Sequence, residues 1–280
     1  MTIDIICPLY NAEKYIENLH KSFLKQKGVK LNNIKYVLTE SKDNTQSLMD
    51  SLNLEYKLIK RSEFSHSLVR ENAVYESNAD IICFVTQDVV IESDEWLKNL
   101  VKPIIEGEAD ATYSRQMTKY NNIEKYTREH NYPSVSKIVS KDDIEKLGLK
   151  TFFFSDASGA IKRDTFIKLE GYDHKNIPIS EDMYFAYKLI MNGYKIKYCS
   201  DSVVYHSHNF TLKEIYDRYK LTGRFFKENS YLDNYKTTKA GSSMAKYIFK
   251  RIIQEHRIGL LFRYPFDMAA RLFGMKAGKK

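Results

Sequence analysis

Ile3-Asp4-Ile5-Ile6-Cys7-Pro8-Leu9-Tyr10-Asn11-Ala12-Glu13-Lys14-Tyr15-Ile16 is the stretch that decides the fold. Its first part, Ile3 to Pro8, is a short apolar run of the kind a buried parallel strand needs, since helices cover such a strand on both faces. The period then turns helical. Ala12, Tyr15, Ile16, Leu19 and Phe23 share one face, and Asn11 is the expected N-cap. Working outward, strand-like runs recur at Ile34 to Thr39, Tyr56 to Lys60 and Ile81 to Val85. After the last, Ser93 or Asp94 can cap a helix whose apolar face is Leu97, Leu100, Val101 and Ile104. Strand–helix alternation at this spacing predicts an α/β fold with a doubly wound, mostly parallel, Rossmann-like sheet. Right-handed crossovers then gather the loops after the strands on one edge, where such sheets bind ligands.

Beyond this block, residues 113–150 are polar and less regular, which reads as a lid or acceptor-side loop. A second structured block runs from 151 to about 210 and helices dominate after it. Helical spacing returns at Ala245, Ile248, Phe249, Ile252 and Ile253, then at Phe266, Ala269, Ala270 and Phe273. The 280 residues, 43% apolar and 29% charged, suffice for one large α/β domain and an appendage, and exclude wholesale disorder. No apolar run approaches the roughly 18–20 residues that span a bilayer. The first residues lack the basic start and long apolar stretch of a signal peptide, so a chain without one is expected. Cys7, Cys83 and Cys199 are odd in number and scattered, which argues against a disulfide framework or zinc site and fits a reducing cytoplasm.

The charge is segregated. From 238 to 280 there are ten basic residues against Glu255 and Asp267, so the whole net charge of +8 lies there and the body is neutral. A nucleic-acid protein would carry its positive face on the folded body, so no nucleic-acid partner is expected. No two glycines are spaced Gly-x-Gly, which removes a dinucleotide fingerprint and a phosphate-cradling P-loop, and neither Gly-x-Ser-x-Gly nor His-Glu-x-x-His occurs.

What remains is a set of carboxylates and histidines. Thr86-Gln87-Asp88-Val89 follows the apolar run Ile81 to Val85, and a carboxylate at a strand end can hold a divalent cation against a diphosphate. It can equally be a turn or capping Asp. Ser180-Glu181-Asp182-Met183 opens a helix, where the dipole favours carboxylates in any case. Tyr205-His206-Ser207-His208-Asn209 follows Val203-Val204, and residues two apart on a strand share a face. Singly, none of the three identifies a site.

In their order along the chain they resemble a family. Cys7-Pro8-Leu9-Tyr10-Asn11-Ala12-Glu13-Lys14-Tyr15-Ile16 is similar to the opening of family 2 glycosyltransferases of the GT-A fold, where a strand ends in Pro-x-Tyr-Asn. Thr39-Glu40-Ser41-Lys42-Asp43-Asn44-Thr45 stands where that family has an acidic nucleotide-binding turn. Glu63-Phe64-Ser65-His66-Ser67-Leu68-Val69-Arg70 resembles the Phe-x-His-x-x-x-Arg segment of its bacterial rhamnosyltransferase branch. Thr86-Gln87-Asp88 resembles that branch's variant of the metal-binding Asp-x-Asp. Phe154 to Arg163, Gly171-Tyr172-Asp173, Glu181-Asp182 and Val203 to His208 follow in the family's order.

The resemblance covers roughly residues 1–225. It implies a glycosyltransferase domain over 1–225, with a nucleotide-binding half at 1–110 and an acceptor-side half at 111–225, followed by a basic helical tail at 226–280. Pro8, Tyr10, Asn11, Glu40, Arg70 and Gln87 would bind the nucleotide. Asp88 would hold Mn²⁺ or Mg²⁺, with His206 as second ligand and His208 as its competitor for that role. Asp182 would be the general base, positioned by Glu181. Transfer would invert the anomeric centre without a protein nucleophile. Two departures from the family pattern stand out: Thr86 replaces the first Asp of the metal motif, and Thr39-Glu40-Ser41 lacks paired aspartates.

The implied donor is a nucleoside-diphosphate sugar; the branch points to dTDP-rhamnose, and a UDP-hexose stays open. The implied acceptor is an oligosaccharide or lipid-linked saccharide in surface polysaccharide synthesis. Arg70 can instead be an ordinary salt-bridged surface residue. The tail suits either the anionic inner face of the cell membrane, giving a cytoplasmic, peripheral enzyme, or packing on the body or on a second subunit of a homo-oligomer. Two other function classes stand beside the transferase. A sugar nucleotidyltransferase would show a Gly-rich or basic signature near the first strand, and a non-catalytic membrane scaffold would need neither Asp88 nor Asp182.

Overall fold

The structure is a computed structural model that describes residues 1–235 and 238–280, with side chains resuming at 243. Lys239, one of the tail cations, lies outside the described side chains. In chain order the elements are β1 (Thr2–Leu9), α1 (Ile16–Leu24), β2 (Lys30–Thr39), α2 (Thr45–Ser51), β3 (Tyr56–Ile59), α3 (His66–Tyr75), β4 (Ile81–Val85), α4 (Trp96–Ile105), β5 (Ala111–Met117), α5 (Ile123–Asn131), β6 (Lys137–Val139), α6 (Ile144–Leu147), β7 (Ser158–Lys162), α7 (Arg163–Lys168), α8 (Glu181–Met191), β8 (Ile196–Tyr205), α9 (Leu212–Glu228), α10 (Thr238–Gln254) and α11 (Ile258–Lys279). The chain divides into two compact units. Unit 1 holds residues 1–115, 134–141 and 152–206, and unit 2 holds 116–133, 142–151 and 207–280.

Unit 1 is built on one sheet in the order β3-β2-β1-β4-β7-β5-β8-β6. The expected doubly wound α/β sheet is there. It is parallel from β3 through β2 and β1 to β4, and antiparallel where β7 meets β4 and β5 and where β6 meets β8. β1 and β4 are buried because their runs are apolar and both neighbours are strands; Ile81 to Val85 are all inaccessible. Pro8 lies past the last β1–β4 pair, Ile6 with Phe84, where a missing N–H is tolerated. The predicted apolar faces pack onto this sheet: Ile16, Leu19 and Phe23 from α1, and Leu97, Leu100, Val101 and Ile104 from α4. Tyr15, expected on the α1 face, is 39% exposed.

Buried polar groups in unit 1 tie strands together. The Trp96 indole N–H reaches the Ser114 and Ser158 hydroxyls at 3.1 Å each, and Ser114 also bonds Ser202 at 2.8 Å. Those serines sit on β5, β7 and β8, so the network fixes three strands against α4. All three cysteines are buried and free, and burial pushes their thiols up, Cys199 to about 12. They are inert by that measure.

Three sequence expectations need correction. Neither Ser93 nor Asp94 caps α4: its N-cap is Glu95, and the Ser93 hydroxyl accepts instead from the Glu95 N–H at 3.1 Å. Asn11 does not cap α1, which starts at Ile16 after an uncapped Tyr15. Asn11 adopts φ 48° in the turn after β1, a left-handed conformation that Asn tolerates. Its side-chain oxygen accepts from the Lys42 N–H at 2.9 Å. The stretch 113–150, read as an irregular loop, carries most of β5 and all of α5, β6 and α6. Its helices are short and polar, so periodicity was a weak signal there.

Unit 2 is helical, and the expected tail is part of it. Ile248 and Ile252 of α10 pack on Ile123 and Tyr126 of α5, while Glu255 accepts from Lys125 and from the Tyr126 hydroxyl, both at 2.8 Å. α9 opens with a Thr211/Glu214 capping box. α11 lies close against α9 because three glycines leave room at the crossing. A methyl on Gly223 would strike the Met275 carbonyl, one on Gly274 the Tyr216 carbonyl, and one on Gly278 the Lys220 carbonyl. Gly274 and Gly278 are one helical turn apart, a small-x-x-x-small spacing that permits close backbone approach. Among the described residues, no helix is long and apolar enough to cross a membrane.

Candidate active site

The carboxyl ends of β1, β2 and β4 meet in unit 1, and side chains stitch their loops together. Gln87 clamps β4 to β1: its Oε1 accepts from the Tyr10 N–H at 2.7 Å and its Nε2 donates to the Tyr10 carbonyl at 2.9 Å. Its amide is thus engaged with backbone, and it bears on the site by holding Tyr10. The turn after β1 is zipped to the loop after β2. Ser41 Oγ accepts from the Asn11 N–H at 2.9 Å, Thr45 Oγ1 accepts from the Ala12 N–H at 2.7 Å, and Glu13 accepts from both nitrogens of Asn44. Asp43 is taken up by Glu13 and Thr45 backbone, whereas Glu40 is exposed at the end of β2. Tyr10 lies under the Arg61 guanidinium, 5.2 Å from its ring centre, a cation–π pair that sequence reasoning missed.

Asp88 and His206 are brought together by a single antiparallel bridge, Val90 with Tyr205. Val90 N–H donates to Tyr205 O at 2.8 Å and Tyr205 N–H to Val90 O at 2.9 Å. That register sets His206 Nε2 3.5 Å from Asp88 Oδ2, with both side chains partly buried. Two residues before Asp88, the Thr86 hydroxyl is buried and has no hydrogen-bond partner. A carboxylate, an imidazole and a spare hydroxyl are oxygen and nitrogen donors that fit a divalent cation such as Mn²⁺ or Mg²⁺. His208 belongs to unit 2.

The second cluster of unit 1 surrounds the start of α8. Ser180, just before it, has φ 64°, a left-handed conformation that costs a non-glycine residue about 1–3 kcal/mol and recurs at functional sites. Glu181 and Asp182 follow in the first turn. Arg70 on α3, expected in the nucleotide pocket, lies beneath this turn: it is 2% exposed, and its Nη1 donates to Glu181 Oε1 at 3.0 Å and to the His66 carbonyl at 2.8 Å. Asp182 accepts from its neighbour's N–H, Met183, at 2.8 Å. Burial above all, then the charges of Glu181 and Asp156, holds the Asp182 carboxyl well above the usual carboxylate range.

Asp156 and Tyr172 complete the cluster, and both lie inside motifs quoted above without a role of their own. The Tyr172 hydroxyl donates to Asp156 Oδ2 at 2.6 Å. Tyr172 is aimed by the inaccessible Glu71 carboxylate, which accepts from its N–H at 2.6 Å and pairs with His174 at 2.9 Å. Gly171 is required there: its φ is 47°, and a methyl would meet Glu71 Oε1 and Phe166 at 2.6 Å. Burial pushes Asp156 up to about 6, against the opposing pull of Arg70.

Comparison with known proteins gives these clusters a family. The glycosyl transferase family 2 pattern matches residues 4–170. The O-antigen chain rhamnosyltransferase RfbN of Salmonella typhimurium is 37% identical over 229 residues, 80% of this chain and 72% of that one. WbaN of Salmonella anatum, an O-antigen chain rhamnosyltransferase, is 32% identical over 233 residues, 81% and 73%. Among solved structures, the mannosyltransferase PcManGT from Pyrobaculum calidifontis, in complex with GDP-Man and Mn²⁺, superposes with TM-score 0.60 at 15% identity, over 98% of this chain and 86% of that one. S. aureus TarS in complex with UDP gives 0.55 at 16%, over 100% and 90%. A longer TarS chain is covered over only 42% of its length. The two structural likenesses bear on the fold, which is GT-A, and the sequence matches on the family. The chain belongs to glycosyl transferase family 2 and is a glycosyltransferase.

Proposed function

We propose that the protein is a metal-dependent, inverting rhamnosyltransferase that moves rhamnose from dTDP-rhamnose to a lipid-linked saccharide in surface polysaccharide synthesis. The observation that carries the reading is the constellation inside unit 1: Asp88 beside His206 at the end of β4, and a partly buried Asp182 of raised proton affinity at the start of α8. Identity to two O-antigen rhamnosyltransferases supports the sugar. Tyr10 and Arg61 offer the nucleoside a ring and a cation, with Glu40 exposed at the next strand end.

Asp88 and His206 would hold the metal ion, which when bound neutralises charge developing on the leaving diphosphate. An acceptor hydroxyl is a poor nucleophile at neutral pH, so Asp182 accepts its proton during attack. That requires an approach of about 3 Å. The hydroxyl oxygen forms a bond to the anomeric carbon as the bond to the diphosphate breaks, and a single displacement inverts that centre. Glu181 and Arg70 pair with each other beside the base, and among the described residues no cation is paired with Asp182 itself.

The acceptor reading extends to the membrane. α11 exposes Ile258 (69%), Phe262 (73%), Phe266 (63%) and Phe273 (59%), and ten cations lie between 238 and 280. Aromatic side chains and Lys or Arg on one segment suit an anionic cytoplasmic leaflet. That would hold a cytoplasmic enzyme beside a lipid-linked acceptor.

Thermal shift against a panel of dTDP-, UDP- and GDP-sugars, with and without Mn²⁺, tests the donor and metal together. Ligand at 100 times its Kd should stabilise by about 2.7 kcal/mol. The expected result is the largest shift with dTDP-rhamnose and only in the presence of Mn²⁺. A larger, metal-independent shift with a UDP-hexose would overturn both the donor and the metal assignment.

A further inference from the structure

Two carboxyl groups, Asp156 and Glu181, share the Arg70 guanidinium in the interior of unit 1, and Asp182 follows Glu181 in the same helical turn. Asp156 is 3% exposed and precedes β7; Arg70 comes from α3, Tyr172 from the loop after α7, and Glu181 and Asp182 from the first turn of α8. Arg70 is divided between two acids, with Nη1 at 3.0 Å from Glu181 and Nε at 4.0 Å from Asp156 Oδ2. Two polar atoms at the centre of the cluster have no hydrogen-bond partner, Asp156 Oδ1 and Arg70 Nε. A fully ionised cluster would set three negative charges against one guanidinium, with Asp156 and Glu181 buried, which favours retention of a proton. The unpaired Asp156 oxygen is a place for that proton.

We propose that Asp156 is a positioning residue for the transfer: with Tyr172 it orients Arg70 toward Glu181, and it shares with Asp182 the proton that Asp182 must shed to act as the base. This rests on Asp182 being the base. Asp156 touches no reacting atom; it acts through the charge it presents. When Asp156 is ionised, Asp182 holds its proton more tightly. When Asp156 is neutral, Arg70 and Glu181 compensate each other and Asp182 ionises more easily. Asp156 therefore tunes how the base responds to pH. Burial raises the proton affinity of both carboxyls, in accord with this.

The test uses the full chain and the variants Asp156→Asn, Tyr172→Phe and Asp182→Asn, and has two readouts. Infrared titration counts protonated carboxyls from acid to neutral pH without any substrate. dTDP release from dTDP-rhamnose, with water as acceptor, gives the pH–rate profile. In D156N one protonated carboxyl should vanish, and the acidic limb of the profile should move to lower pH by about half a unit or more. Y172F removes only the hydroxyl that favours ionised Asp156, so it should move the limb the same way and less; it carries the test if D156N does not fold. Unmoved titrations and limbs in both variants, with D182N inactive, overturn this inference alone. A D182N protein that releases dTDP normally removes the base assignment and this inference with it.

Discussion

Asp182 and Glu181 are neighbours in one helical turn, yet Arg70 pairs with one and leaves the other in a buried, negative surrounding. Their amide variants should therefore fail differently. Asp182→Asn should lower transfer by about 10²–10⁴-fold with the melting temperature held, which activity assays and calorimetry on one preparation will show. Glu181→Gln leaves Arg70 buried without its closest acid, so it should cost about 3–5 kcal/mol of stability. If Glu181→Gln abolishes transfer at an unchanged melting temperature, the base is Glu181. Asp88→Asn should lower turnover by orders of magnitude at constant stability, and full activity in excess EDTA would contradict metal dependence. Asp156 also makes a stability prediction. Its folded-state affinity is raised from 3.8 to about 6, so the folded state binds the proton more tightly than the unfolded chain. That contribution is complete below pH 4 and lost as pH rises through 6. Asp156→Asn should flatten this fall in a melting-temperature series. The acids themselves were legible in the sequence by their place after strands and at a helix start. Which acid Arg70 neutralises was not, because the pairing joins α3 to α8.

At the scale of elements, the contact between α9 and α11 depends on absent side chains. Gly278→Val would drive a branched side chain into the α9 backbone at Lys220 and Arg224. Overpacking of this kind costs about 1–3 kcal/mol, so the melting temperature should fall while far-UV helicity is retained. An unchanged melting temperature would mean that α11 is not seated on α9. The Gly274-x-x-x-Gly278 spacing could have announced this packing. It was overlooked because apolar and charged residues in the tail outweigh two glycines in any periodicity count. The opposite case is α4, whose predicted face of Leu97, Leu100, Val101 and Ile104 is buried as expected.

For the whole molecule, the tail is neither a detachable appendage nor wholly packed. One side of α10 buries Ile248 and Ile252, while Phe262 and Phe266 of α11 stay open. Deleting 238–280 would strip α5 and α9 of their apolar cover and confound a membrane assay with unfolding. Point variants avoid this. Phe262→Ser with Phe266→Ser should leave the melting temperature unchanged and abolish co-sedimentation with anionic vesicles. The intact protein should pellet less as salt rises, since each exposed cation contributes on the order of 1 kcal/mol that salt screens. Equal, negligible pelleting with anionic and neutral vesicles would end the membrane reading. A mass change on Phe262→Ser with Phe266→Ser would favour a second subunit on that face.

The alternation of strands and helices through the first hundred residues, the burial of β1 and β4, the placement of Asp88 and Glu181-Asp182 at element ends, and the segregation of charge were all set by the sequence alone. Each depends on periodicity or composition within a dozen residues, and those forces act wherever the segment is placed. Only the tertiary structure decided that His206 meets Asp88, that Arg70 turns inward to Glu181 and Asp156, and that Asn11 bridges to Lys42 instead of capping a helix. These outcomes hang on registers between segments far apart in the chain, such as the Val90–Tyr205 bridge. Side-chain pairing and desolvation are fixed only once such registers close, and no local pattern encodes them.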